Sequence, residues 1–94
     1  MNTIHKYKLD NIINETCLIQ LPQYARILYV DSRDSEIYLW AYIHTSEPLI
    51  QRKFKCFKTG EECNFENDRI YLGSVEIHRG FLKDTRHVFE IIDF

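Results

Sequence analysis

Glu36-Ile37-Tyr38-Leu39-Trp40-Ala41-Tyr42-Ile43-His44 alternates with a period of two. Side chains of a strand point to opposite faces in turn, so this stretch presents Ile37, Leu39, Ala41 and Ile43 on one side and Tyr38, Trp40, Tyr42 and His44 on the other. The aliphatic side is the expected core face. The aromatic side is the first hint of function, and it has bland readings too: a second core, or a subunit interface, where Tyr and Trp are also enriched.

Strands are expected on both sides of this one. Ala25 to Asp31 is apolar on both faces, which predicts a central strand covered on both sides. The polar turn Ser32-Arg33-Asp34-Ser35 has hairpin length, so this strand should pair antiparallel with the aromatic one. Further back, Ile4 to Leu9 reads as a strand, as does Thr16 to Leu21, which stops at Pro22 because proline cannot donate to a ladder. A short helix over Asn11 to Gln20 is the alternative, disfavoured by β-branched residues and the early proline.

Downstream, Thr45-Ser46-Glu47-Pro48 closes the aromatic strand and Leu49 to Thr59 forms a fifth. A long polar loop runs from Thr59 to Asp68, carrying Glu61, Glu62 and Glu66. Arg69 to Arg79 is a sixth strand with a bulge or close approach at Gly73. A loop from Gly80 to Thr85, anchored by Phe81 and Leu82, leads to a seventh strand, Arg86 to Ile92. No stretch has a convincing helical period. The chain of 94 residues is therefore expected to be a single all-β domain, an antiparallel β-sandwich or small barrel of about seven strands with meander connections.

Composition narrows the function classes. The formal net charge of −2 lacks the broad positive field of a duplex-DNA binder, although a local basic stripe can still serve. No apolar run is long enough to span a bilayer, and no signal peptide is expected. Cys17, Cys56 and Cys63 are odd in number and lack a C-x-x-C pair, so they read as reduced thiols, Cys56 being a buried small hydrophobe. The four histidines, His5, His44, His78 and His87, have no metal-ligand spacing, and no cofactor is expected. No nucleophile motif frames any Cys or His, which leans against an enzyme.

A ligand site emerges if the fifth strand follows the aromatic one in the same sheet. Ile50, Phe54 and Cys56 then join the core, and Lys53, Lys55 and Phe57 fall on the outer face beside Tyr38, Trp40 and Tyr42. Aromatic rings stack on bases and ammonium groups meet phosphates. The Thr59-Gly60 turn adds backbone N–H groups that can hold an anion, although such a pair often does no more than turn the chain. Lys53 and Lys55 have an alternative role as protection of an edge strand.

The run Lys6-Tyr7-x-Leu9, Leu21-Pro22-x-x-Ala25-x-Ile27-Leu28, Leu39-Trp40-Ala41 and Phe57-x-Thr59-Gly60 resembles a family of small phage and prophage proteins of about this length, a domain of unknown function. The match covers most of the chain in order, through short motifs. Members often carry glycine before the alanine of the second motif, where this chain has Tyr24. The resemblance brings no catalytic residues. It implies a viral origin and a small accessory protein acting in the host cytoplasm; by analogy, some small phage accessory proteins resemble sponges that sequester the nucleotide messengers of bacterial defence.

Three functions follow as expectations. The first is a non-enzymatic binder of a nucleotide-like or other anionic small ligand, using Tyr38, Trp40, Tyr42, Lys53, Lys55, Phe57, Thr59 and Gly60. The second is a protein-binding module that docks a host protein or its own copy; a homo-oligomer would shield the aromatic patch. The third is a small hydrolase, which needs His44 or His78 beside a carboxylate in a cleft.

Overall fold

The computed structural model describes residues 1–65 and 67–92. Glu66, expected in the polar loop, lies outside the described residues. Among the described residues there are seven strands: β1 (Asn2–Lys8), β2 (Cys17–Pro22), β3 (Arg26–Arg33), β4 (Glu36–His44), β5 (Leu49–Lys58), β6 (Asp68–Arg79) and β7 (Leu82–Ile92). They form two antiparallel sheets, one of three strands in the order β1-β4-β3 and one of four in the order β2-β5-β7-β6. The expected all-β sandwich is the observed architecture.

Strand β4 is the centre of the three-stranded sheet because its period-two alternation can satisfy a core on one side. Ile37, Leu39, Ala41 and Ile43 are each no more than 2 % exposed, and they meet Phe54, Cys56, Val75, Ile77 and Val88 from the other sheet in one core. The β3–β4 hairpin turns on Asp34 and Ser35, with φ of 53° and 66°, the positive values that a type I′ turn requires. The stretch before β2 is neither strand nor helix. A single turn, closed by Asn14 and Glu15 N–H groups on the Asn11 carbonyl, seats Ile12 in the core.

Three expectations need correction. β3 is an edge strand, not a covered central one. A bulge between Ile27 and Tyr29 breaks its alternation, and Leu28 and Tyr29 are about half exposed. β7 begins at Leu82, so the expected loop is a tight hairpin whose Phe81 and Leu82 stand in solvent rather than anchoring it. Finally, β5 does not follow β4 in the same sheet. Thr45 N–H bonds Met1 O at 2.9 Å, and Gln23 N–H bonds Pro48 O at 2.8 Å, so the segment between crosses from one sheet to the other. The connection is an arch, not a meander. Ile50, on the part of β5 that precedes its pairing with β7, is 40 % exposed rather than buried.

The sheets lean closest along β3 and β6. Ser32 Oγ donates to Glu76 O at 2.6 Å, and Ser35 Oγ donates to His78 O. These hydroxyls occupy carbonyls of β6, an edge strand of its sheet, which blunts that edge against further strand pairing.

Candidate functional site

Because β4 and β5 lie in different sheets around one core, their outer sides face away from each other. The structure therefore does not bring Tyr38, Trp40 and Tyr42 to Lys53, Lys55 and Phe57. It gives each group new company.

On the four-stranded sheet, the outward residues of β5 sit in register with those of β7 and β6. Lys53 pairs with Ile91, Lys55 with Phe89 and Phe57 with His87; across β7, Ile91 pairs in turn with Arg69, Phe89 with Tyr71 and His87 with Ser74. The loop after β5 folds Phe65 back over this face. Its ring lies 5.1 Å from Phe57 and 5.2 Å from Phe89, and Tyr71 flanks Phe89 at 5.5 Å. Phe57 was expected to be exposed; this cover leaves it only 3 % exposed, a second small core outside the sheet. Two cations ride on it, Lys55 Nζ at 5.1 Å from the Phe57 centroid and the Arg69 guanidinium at 4.5 Å from Phe65.

Beside these rings runs a chain of polar side chains. Thr59 Oγ1 is 2.7 Å from His87 Nε2, Ser74 Oγ is 2.7 Å from His87 Nδ1, and Tyr71 OH is 2.5 Å from Ser74 Oγ. A neutral imidazole donates from one nitrogen and accepts at the other, and a hydroxyl can do either, so this arrangement satisfies both tautomers. The Thr59-Gly60 turn is less open to an anion than expected. Thr59 N–H bonds Thr85 O and Glu61 N–H bonds Lys58 O, while Gly60, with φ of 88°, makes the turn itself. Its contribution to the face is the Thr59 hydroxyl.

A cavity of about 320 Å³ opens on the same face, lined by Thr16, Lys53, Lys55, Asn64, Phe65, Asn67 and Ile91. It combines two ammonium groups, two carboxamides, a hydroxyl and an apolar wall. A second hollow of about 300 Å³, sharing Lys53 and Ile91, has Arg52 and Glu90 in its lining. There Arg52 grips the Glu90 carboxylate at 2.6 and 2.7 Å and donates to Ala25 O at 2.6 Å. Arg52 and Glu90 are thus already matched to each other.

On the three-stranded sheet, the aromatic ladder is present and half open. Trp40 lies 5.4 Å from Tyr29 and 6.4 Å from Tyr38, and Tyr42 meets His44 edge-on at 5.4 Å. Its cations come from its own sheet: Lys6 Nζ is 4.9 Å from the Tyr38 centroid and the Arg33 guanidinium 5.3 Å from Trp40.

His44 meets the Asn2 carboxamide, and His78 stands 3.8 Å from Glu76 on an exposed strand. Among the described residues, neither has the carboxylate in a cleft that the hydrolase reading needs. Among the described residues, no three His, Cys, Asp or Glu side chains converge as metal ligands. Cys17 and Cys56 are buried free thiols and Cys63 an exposed one.

His87, Ser74, Tyr71, Phe65, Phe89, Arg69 and the two asparagines escaped the sequence reading. Their alternation was legible strand by strand, but only the cross-strand register places them beside the lysines.

A family model described as a domain of unknown function (DUF7352) matches residues 1–93. No curated protein and no solved structure matches the chain.

Proposed function

We propose a non-enzymatic binding role for this chain, which belongs to the DUF7352 family, a domain of unknown function: it holds a small anionic, ring-bearing ligand of nucleotide type on the outer face of its four-stranded sheet. The observation that carries this reading is the cavity where Lys53 and Lys55 meet Phe65, Asn64 and Asn67. Ammonium groups fit phosphate oxygens, carboxamides fit the donor and acceptor edge of a base, and Phe65 supplies an apolar wall. Its volume of about 320 Å³ lies at the lower end of the range for small-molecule sites. The Tyr71–Ser74–His87–Thr59 chain extends the polar surface along the same face.

The resemblance to phage and prophage proteins supports a finer proposal. The chain acts in a host cytoplasm and sequesters a nucleotide messenger of antiviral defence. Mass spectrometry of the supernatant from protein purified out of infected cells and then heat-denatured tests both. Release of a nucleotide in proportion to protein supports the reading. A supernatant free of nucleotides, from protein that also fails to bind any nucleotide of a broad panel, overturns it.

One observation favours a second reading, a protein-docking module. Phe81 and Leu82 cap the β6–β7 hairpin at 108 % and 73 % exposure. A projecting aromatic-aliphatic tip suits a pocket on a host protein or on another copy of this chain. Loss of a recovered host partner, or of self-association, in Phe81→Ser would support it.

A further inference from the structure

The outer face of the three-stranded sheet has no part in the ligand site proposed above, and its chemistry is of another kind. Three rings of β4, Tyr38, Trp40 and Tyr42, stand along one line, and Tyr29 of β3 sits beside Trp40. Alternate residues of a strand are about 6.8 Å apart. That step is close to one nucleotide of an extended single strand, so consecutive rungs can each meet a successive base.

Cations border the ladder on both sides. Register places Lys6 opposite Trp40 and Lys8 opposite Tyr38 on β1, and Arg26 opposite Tyr42 on β3. Arg33 reaches over Trp40 from the end of β3. Against them stand Asp31, held by Arg33, and Glu36 and Asp10, both near Lys8. The face is thus positively biased on a chain whose formal net charge is −2. A second copy docking face to face would set these cations against one another. A polyanion would not.

We infer that this face is a platform for single-stranded nucleic acid, with bases on Tyr38, Trp40 and Tyr42 and phosphates between the β1 lysines and the β3 arginines. The cations now lying on the Tyr38 and Trp40 rings fit this role. An incoming phosphate draws Lys6 and Arg33 off the rings, and a base takes the place they leave. Stacking on a ring outweighs the exposed cation–π contact it replaces. A flat face of this width admits a strand with splayed bases and gives a duplex, whose bases are stacked inside, only its phosphates.

The chain has a single tryptophan, Trp40, so its own emission reports the event. The experiment titrates oligo(dT) and oligo(U) of about ten nucleotides into the protein at low salt and follows Trp40 fluorescence. The expected result is saturable quenching that weakens as salt rises. Lys6→Glu and Arg33→Glu should each reduce affinity by about tenfold, because each turns a phosphate contact into a repulsion. Lys55→Glu, on the opposite face, should leave the quenching curve unchanged. That control separates this inference from the ligand site, since each can fail without the other. Oligo(dT) against oligo(U) distinguishes DNA from RNA. No quenching by either oligomer in protein that sediments as a monomer would overturn the inference. So would quenching that ignores Lys6→Glu and Arg33→Glu. A wild-type dimer dispersed by Lys6→Glu would also overturn it, by assigning the face to a second copy.

Discussion

Gly73 lies beneath Val30 so closely that a Cβ on residue 73 would sit 2.8 Å from Val30 Cγ2. This contact joins β6 of one sheet to β3 of the other, at the bulge where the β6–β7 register slips between Tyr71 and Gly73. The bulge sets which β6 side chains face outward, so it also places Tyr71 and Ser74 on the outer face of the four-stranded sheet, where the ligand site is proposed. Gly73 has φ of 150°, a backbone conformation that side-chain-bearing residues rarely adopt. Gly73→Ala should therefore destabilise the fold by roughly 1–3 kcal/mol, from overpacking together with backbone strain. Urea melts of the two proteins measure it; an unchanged midpoint would show that the sheets can slide apart at no cost.

Tyr24 marks the opposite situation. Its φ is 68° and its ring is 74 % exposed, so a bulky side chain carries the cost of a left-handed backbone without burying surface in return. That cost is roughly 1–2 kcal/mol, and glycine loses roughly 0.5–1 kcal/mol of it again through the freedom of the unfolded chain. Tyr24→Gly should then raise stability slightly, by about 0.5–1 kcal/mol. Thermal unfolding by calorimetry checks the sign.

The Tyr24 position shows how sequence and structure inform each other. The resemblance marks it as a position of glycine, and its positive φ is one that glycine adopts without steric cost. Much of the fold was legible in the same local way. The alternation of β4 identified its core side residue by residue, and the dense turn chemistry at Ser32 to Ser35 identified its hairpin partner. What local pattern cannot carry is the choice of sheet. Thr45 to Pro48 reads alike as a hairpin turn or as an arch between sheets, and that one choice decides which rings the lysines meet. From sequence, Lys53, Lys55 and Phe57 read as one outer face shared with the rings of β4. Their actual companions, Phe65 and His87, come from a loop and a distant strand whose register no local signal encodes.

Arg52 and Glu90 form a two-pronged ion pair, with side chains 17 % and 6 % exposed. Glu90→Leu alone leaves a guanidinium poorly solvated and should cost about 3–5 kcal/mol. The double variant Arg52→Met with Glu90→Leu should cost markedly less, because both desolvated charges are gone. A double-mutant cycle in urea decides; additive losses would mean that the pair is not coupled.

Burial, helped by the nearby charge of Asp10, pushes the Cys17 thiol from its ordinary 9.0 up to about 11. Burial also raises Cys56. The folded protein thus keeps the Cys17 proton in a range where the unfolded chain has lost it. This contribution to stability is complete below about pH 9 and declines as pH rises through about 11. Stability should fall across that window, and the slope should be shallower in Cys17→Ala. Identical slopes would exclude Cys17 as the source. At neutral pH, a thiol reagent should label Cys63 fast and the buried pair only on unfolding.

Titration calorimetry of a panel of mononucleotides and cyclic dinucleotides into wild type, Lys55→Glu and Lys6→Glu tests the central claim most directly. The account predicts that at least one nucleotide binds the wild type. Lys55→Glu should weaken it by about tenfold or more, most strongly at low salt, where screening is least. Lys6→Glu, on the other face, should bind as the wild type does. Binding that survives Lys55→Glu and is lost in Lys6→Glu would contradict the account and move the ligand to the three-stranded sheet.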